Sequence, residues 1–341
     1  MRILITGNQG YIGTYLSAFL VERGYDVIGM DSGFFKNCNL TTITNEVQTI
    51  QKDIRDVEVS DFSGISIVVH LAALSNDPIG ALDSELTYDI NYKAAVRVAE
   101  QAKFAGVSRF IFISTQSIYG ISNTNEELDE DKSLKNPQTA YAKSKWLAEQ
   151  EILSSSDDGF IATALRPSTV FGWSSRLRAD IVFNNLLLSG LRNNKIEVHS
   201  DGTPWRPILH LRDFALAVEK TIVSGSDQIS GVAFNLGVLN GNYTVRQIAE
   251  AAQHCLGGIP IQYNTENISD PRSYKVSFER ALNILGFRAQ VDLDTGGNEI
   301  IMEAREIITK GVDVLGRNTN RLQQMKFLLE NKLISENLRF K

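Results

Sequence analysis

Little in this chain invites metal, disulfide or nucleic-acid chemistry. Its 341 residues include only two cysteines, Cys38 and Cys255, far apart in sequence, so neither a disulfide framework nor a thiolate zinc site is expected. The four histidines, His70, His199, His210 and His254, are scattered, and no metal centre is expected from them. A net charge of −6, with no basic run interleaved with aromatics, argues against a general nucleic-acid-binding surface. No apolar run approaches the roughly 18 residues that span a bilayer. With no signal-like segment ahead of Arg2 either, a cytoplasmic protein without a membrane partner is expected. Internal repeats and low-complexity tracts are also lacking. Proline is sparse, and five of the seven prolines follow residue 166, where the character of the chain changes.

What is present is organised around the first thirteen residues. Ile3, Leu4 and Ile5 form a short apolar strand that runs into Gly7-Asn8-Gln9-Gly10-Tyr11-Ile12-Gly13. A strand that ends in glycines and opens a helix lets backbone N–H groups approach a pyrophosphate, and the helix N-terminus adds partial positive charge. The helix follows at once, with Ile12, Leu16, Phe19 and Leu20 at spacings of three and four, and stops at Gly24. Tyr25 to Met30 gives a second strand that ends in Asp31, eighteen residues beyond Gly13. That is near the roughly 20-residue spacing at which a carboxylate accepts from the adenosine ribose hydroxyls of a dinucleotide. The same carboxylate would repel the 2′-phosphate of NADP, so NAD is the expected cofactor.

Further along, Ser32 to Thr49 reads as a loop able to cover the adenosine. A short strand then leads to Asp53-Ile54-Arg55-Asp56. Asp53 there either accepts from the adenine amino group while Ile54 packs on the ring, or, like Asp56, caps a helix. Ile65 to Leu71 is a central strand that ends in Ala72-Ala73, small enough for a cofactor to lie close. A helix over 89–105, strands at 110–114 and 159–165, and a helix over 141–153 continue the alternation. The fold class is therefore α/β, a doubly wound parallel sheet over residues 1–170, with a smaller C-terminal α+β lobe from 171–206 and 241–341. The segment 207–240 is expected to return to the first domain, with Asp213 as the N-cap of its helix. The charged tail from Gly297 to Lys341 reads as mostly helical and carries no recognisable chemistry.

The most specific chemical signal is Tyr141-Ala142-Lys143-Ser144-Lys145 at a helix start. Tyr141 and Lys145 are four apart and share a face. A phenol near pKa 10 is a poor base at neutral pH, but an ammonium one turn away favours the phenolate. Tyr141 can then take a hydroxyl proton as hydride leaves carbon, while Lys145 holds the nicotinamide ribose. Ser114-Thr115-Gln116-Ser117 places hydroxyls at the carboxyl end of a strand, where open α/β sheets bind ligands. Thr115 is read as the hydrogen-bond partner of the reacting sugar oxygen, with Ser114 as the rival and a plain strand-end hydroxyl as the remaining alternative.

Taken together, Gly7-x-x-Gly10-x-x-Gly13, His70-Leu71-Ala72-Ala73, Ser114-Thr115-x-x-x-Tyr119-Gly120, Tyr141-x-x-x-Lys145 and Arg166-Pro167 resemble the extended short-chain dehydrogenases that act on nucleotide sugars, over roughly residues 1–290. The resemblance implies a Rossmann-type NAD-binding domain and a catalytic set of Thr115, Tyr141 and Lys145. It implies cofactor contacts from Gly7, Gly10, Tyr11, Ile12, Gly13, Asp31, Asp53, Ile54, Leu71, Ala72, Ala73, Ser114, Tyr141, Lys145 and Pro167. A nucleotide-diphosphate sugar is the implied partner. Its implied contacts are Thr115, Gln116, Ser117, Tyr141, Thr169, Asn185 and two arginines that grip the diphosphate, Arg206 in Asp201-Gly-Thr-Pro-Trp-Arg206 and Arg272 in Asp270-Pro-Arg272. A homodimer through helices near 90–105 and 141–154 is implied as well. Two departures narrow the reaction. Gln116 and Ser117 stand where the 4,6-dehydratases of this group carry acids, which disfavours dehydration. Thr169 stands where an Asn is usual. The resulting expectation is an NAD-dependent epimerase acting at C4 through a 4-keto intermediate, with a 4-ketosugar reductase or dehydrogenase as the rival.

Overall fold

The structure, a computed structural model, describes residues 1–75, 83–122, 125–264 and 272–341. A seven-stranded parallel sheet runs through it. Its strands are β1 (Arg2–Thr6), β2 (Asp26–Asp31), β3 (Thr49–Gln51), β4 (Ile67–His70), β5 (Arg109–Ile113), β6 (Ile161–Pro167) and, after three strands outside this sheet, β10 (Val232–Leu236). The order across the sheet is β10-β6-β5-β4-β1-β2-β3. The direction of winding therefore reverses between β1 and β4, and the strands' carboxyl ends open a crevice there.

Side-chain alternation explains how the sheet is buried on both faces. Ile3 and Ile5 of β1 enter the core on one side, while Leu4 enters the other together with Val68, Phe110 and Phe112. The first core continues into the smaller lobe through Phe171, Phe183 and Leu209, which ties the two parts together. That lobe is built on a three-stranded sheet, β7 (Thr169–Phe171), β9 (Trp205–His210) and β11 (Asn242–Thr244), and a two-stranded one, β8 (Ile196–Val198) with β12 (Ile261–Tyr263).

Helix boundaries follow the capping residues. Helix α1 (Tyr11–Glu22) begins after Gly10 with no side-chain cap, which leaves its first N–H groups facing the crevice. The helix read over 89–105 starts earlier. Asp83 caps α2 (Ser84–Tyr88) by accepting from the Leu86 N–H at 2.9 Å, and a π segment, Asp89–Ala94, joins it to α3 (Ala95–Phe104). Within that segment Asn91 exchanges two hydrogen bonds with Leu74, at 2.8 and 3.1 Å, and so fixes the turn after β4. Thr139 caps α4 (Ala140–Ser154) through the Ala142 N–H, 3.2 Å away, which sets Tyr141 in the first turn.

Asp213 is not a helix cap. The cap of Leu211–Val223 is His210, whose Nδ1 accepts the Arg212 N–H at 3.2 Å. Asp213 sits in the first turn and accepts from the N–H groups of Gln290 and Val291, at 2.9 and 3.0 Å. A carboxylate one turn inside a helix is free to satisfy a distant loop, and here it does. The last helix, α5 (Arg321–Glu330), packs on the sheet: Met325 and Leu328, with Ile334 and Leu338 beyond it, share a core with Ile54 and Phe62.

Candidate active site

Two adjoining cavities lie along the carboxyl ends of the strands. The smaller, about 150 Å³, surrounds the glycine turn, and the larger, about 530 Å³, lies between β5, β6 and the lobe. Tyr11, Ile12, Leu71, Ala73, Ser75 and Arg178 line both, so the two form one continuous crevice. Every residue expected to contact cofactor or substrate lines one or the other. Gly7, Gly10, Gly13, Asp31, Asp53, Ile54 and Ala72 line the smaller. Ser114, Thr115, Gln116, Ser117, Tyr141, Lys145, Pro167, Thr169, Asn185, Arg206 and Arg272 line the larger.

The glycine turn is sterically obligatory. Gly7 has φ +76°, and a Cβ there would lie 2.8 Å from the Ala72 nitrogen; a Cβ on Gly13 would lie 2.2 Å from the Gly7 carbonyl oxygen. Any side chain at either position would force the turn to shift. At the end of β2, Asp31 is buried, and each of its oxygens accepts a backbone N–H, from Gly33 at 2.8 Å and Gln9 at 3.0 Å. Burial raises its carboxyl above the usual range, while those two N–H groups, Arg176 and Arg321 act in the opposite sense. Each carboxylate oxygen keeps a lone pair for a ribose hydroxyl.

Of the two readings of Asp53, the structure contains the cap. Asp53 accepts the Arg55 N–H at 2.9 Å, capping the 3₁₀ turn Ile54–Asp56, and pairs with the Arg55 guanidinium at 2.6 Å. Tyr11 spends its hydroxyl on the Gly172 carbonyl, 2.8 Å away, which pins α1 to the lobe.

The reacting end is built on three elements. From β5, Thr115 accepts the Ser117 N–H at 3.1 Å and keeps its own O–H to donate. Its neighbour Ser114 is buried with an Oγ that has no hydrogen-bond partner among the described residues. Buried hydroxyls are rarely left unsatisfied, so an orphan aimed along a cavity wall fits a site shaped for a bound group. Gln116 is buried too, but its amide is committed. It donates to the Arg166 and Leu236 carbonyls, both at 3.0 Å, and accepts from Ser168 at 3.3 Å, so it stands as a fixed, non-ionising wall. Helix α4 brings Tyr141 and Lys145 to the same wall, one turn apart.

Lys145 is 2% exposed, and its ammonium sits 4.1 Å over the Phe112 ring. None of its three donors is taken up by an acceptor among the described residues. Burial pulls it down to about 7, against the pull of Glu149 in the other direction. Burial therefore works against the ammonium that the sequence alone leads one to assume. Behind it His70 lies between the Phe110 and Phe112 rings, both centroids 5.9 Å away, with Nδ1 bonded to Thr6 at 2.9 Å. Burial, and next Lys145, push this imidazole down to about 3, so it is neutral.

A pH experiment follows with a defined sign. Between about pH 7 and the ordinary lysine value near 10.4, the unfolded chain holds a proton on Lys145 that the folded chain has released. Stability from this group therefore rises with pH across that window. Urea midpoints of wild type and Lys145→Met at pH 7.5 and 9.5 should show a steeper rise for wild type; equal slopes would mean that Lys145 keeps an ordinary pKa.

On the lobe side, Arg206 donates to the Trp205 carbonyl at 2.9 Å and to the Arg272 carbonyl, while Arg272 reaches the Ser117 hydroxyl at 3.1 Å. Both arginines line the larger cavity, Arg206 anchored to the backbone of Arg272 and Arg272 reaching across to the segment after β5. Asp270 and Pro271 of the same motif lie outside the described residues, as do 76–80 of the loop after β4. Asn185 lines the cavity, and its amide donates to the Ala179 carbonyl at 3.0 Å. Two further arginines line the crevice: Arg178, at the end of the loop 173–178 read from sequence as a pocket wall but given no role there, is paired with Asp180 at 2.9 Å where the two cavities meet, and Arg321 arrives from the far end of the chain, unforeseen. Arg178 belongs to a visible Arg-x-Arg run; nothing in the local sequence around Arg321 marks it.

Residues 3–237 match the model of the NAD dependent epimerase/dehydratase family. A UDP-glucose 4-epimerase of Corynebacterium glutamicum is 28% identical over 316 residues, covering 86% of this chain and 93% of that protein. Among solved structures, MoeE5 in complex with UDP-glucose and NAD is 28% identical at a TM-score of 0.78, covering 90% of this chain and all of that one. MoeE5 in complex with UDP-glucuronic acid and NAD is 26% identical at a TM-score of 0.77.

Proposed function

Because the chain belongs to the NAD-dependent epimerase/dehydratase family, we propose that it is an NAD-dependent nucleotide-sugar epimerase acting at C4 through a transient 4-keto sugar. The observation that carries this reading is the meeting of Thr115, Tyr141 and Lys145 on one cavity that runs without a break into the crevice around the glycine turn. In this reading Gly7, Gly10 and Gly13 give the diphosphate of NAD a close backbone, Asp31 accepts from the adenosine ribose, and Asp53 with Ile54 bounds the adenine end. Lys145 and Ser114 hold the nicotinamide ribose. NAD supplies the acceptor, and afterwards the donor, of the C4 hydride. Tyr141 takes the 4-hydroxyl proton and returns it after the sugar has turned, while Thr115 holds the oxygen in place. Arg206 and Arg272 clamp the substrate diphosphate, as planar forks suit.

The relatives' substrates favour a UDP-linked hexose. Gln116 supports epimerisation over dehydration, since its committed amide cannot deliver or take the protons that loss of water requires. The same proposal includes a homodimer through 90–105 and 141–154, supported by the exposure of Phe104 and Leu147 on those helices. It also includes a cytoplasmic location, in keeping with two thiols that form no disulfide.

Absorbance and turnover of the purified protein test it. NAD that co-purifies, together with conversion of UDP-glucose to UDP-galactose without added cofactor, is the expected result. Stoichiometric oxidation of added NADH with reduction of a supplied nucleotide 4-ketohexose, and no conversion of UDP-glucose, would instead mark a 4-ketosugar reductase.

A further inference from the structure

Arg321 is the least expected residue in the crevice. It opens α5, some three hundred residues from the glycine turn, and is 1% exposed. Its donors reach only carbonyls, Arg176 at 2.7 Å and Asn318 at 3.3 Å, and its guanidinium lies 4.5 Å over the Phe35 ring. Among the described residues, no carboxylate comes within 4.0 Å of it. A buried cation with no paired anion is costly and rarely retained without a partner. Burial, and next Arg178, pull Arg321 below its usual pKa, with Asp180 beyond ion-pair distance acting in the opposite sense. Arg176 itself donates to Thr14 in the first turns of α1, at 2.9 Å, which places the cluster beside the open end of that helix. Arg321 and Arg178 both line the cavity that contains Gly7, Gly10 and Gly13. Arg178 is paired with Asp180 and Arg176 with Glu46, at 2.9 and 3.6 Å, so Arg321 is the guanidinium of the cluster without a carboxylate within 4.0 Å among the described residues, and it stands on the cavity at an uncapped helix N-terminus, a setting suited to a bound anion.

The tail that carries Arg321 is fixed to the same rim. Gln324 donates to the Phe34 carbonyl at 2.9 Å, Phe340 stacks on Phe34 at 5.5 Å, and Arg55 donates to the Asn337 carbonyl at 2.9 Å. Phe34, Phe35 and Asp53 are themselves cavity residues, so the tail straps the loop that covers the adenosine side.

We propose that Arg321 is a cofactor-binding residue delivered by the C-terminal tail, its guanidinium balancing the dinucleotide's diphosphate, so that docking of the tail and retention of the cofactor are coupled. This builds on the assignment of NAD to the crevice. Direct binding measurements with NADH, ADP-ribose and adenosine on full-length wild type and Arg321→Met test it. The variant should bind NADH and ADP-ribose at least about 10-fold more weakly, with adenosine changed less than about twofold, because adenosine lacks the diphosphate. Equal loss for all three ligands, or no loss for ADP-ribose, would overturn it. Should that variant fail to fold, hydrogen exchange on wild type decides: NADH should slow exchange over 317–330 about fivefold or more, and unchanged exchange there would refute the coupling. A wild type that binds no NADH at all would instead sink the cofactor assignment, a separate outcome.

Discussion

Replacing Tyr141 by Phe is expected to cut turnover of the nucleotide sugar by about 10²–10⁴-fold, the usual contribution of a positioned acid–base group, while NAD affinity stays within about twofold. The change deletes one hydroxyl from a ring in the first turn of α4 and leaves Lys145, the glycine turn and Asp31 untouched. A role confined to packing would move KM and stability instead. Measuring kcat and KM for the sugar beside the NADH dissociation constant separates the two. If kcat fell less than about tenfold, Tyr141 would not be the base.

Glu149→Ala is expected to cost about 3–5 kcal/mol of stability, the typical price of removing one partner of a buried ion pair. Glu149 follows Tyr141 and Lys145 on the same helical stripe, and its carboxylate accepts from the Arg166 Nε at 3.1 Å through both oxygens. The two side chains are 0% and 3% exposed. Arg166 also donates to the Tyr119 hydroxyl at 3.0 Å, and that hydroxyl donates to Asn235 at 2.9 Å, so one network joins α4 to β6 and β10. Alanine leaves the guanidinium buried without its anion. Urea denaturation should show the loss, and the double variant Glu149→Leu, Arg166→Met should recover most of it, because apolar isosteres remove both desolvation penalties together. A single variant that lost less than about 1 kcal/mol, or a double variant no better than the single, would show that the pair does not carry this load. Since the network seats the helix bearing Tyr141 and Lys145, kcat should fall with stability in the single variant.

The seven-stranded sheet, the crevice at its winding reversal and the gathering of two distant arginines on one wall follow from features of different range. Apolar runs such as Ile3 to Ile5 and Phe110 to Ile113 mark buried parallel strands because each strand is covered on both faces, and that is a property of three or four consecutive residues. Gly7 and Gly13 are equally local. Their need for no Cβ arises within a turn of seven residues and one neighbouring strand end. The helix that carries Tyr141 and Lys145 is fixed by a cap and a four-residue spacing.

Other features depended on contacts that no window of sequence contains. The inward-turned amide of Gln116, the commitment of Asp213 to the Gln290 and Val291 N–H groups and the seating of Arg321 beside the glycine turn all arise where side chains meet across the fold. Sequence determined which chemistry this protein carries, because backbone geometry and short-range spacing are encoded residue by residue. Tertiary structure alone decided which groups are charged and which are already spent, because desolvation and hydrogen-bond commitment depend on what packs against each group, often from hundreds of residues away.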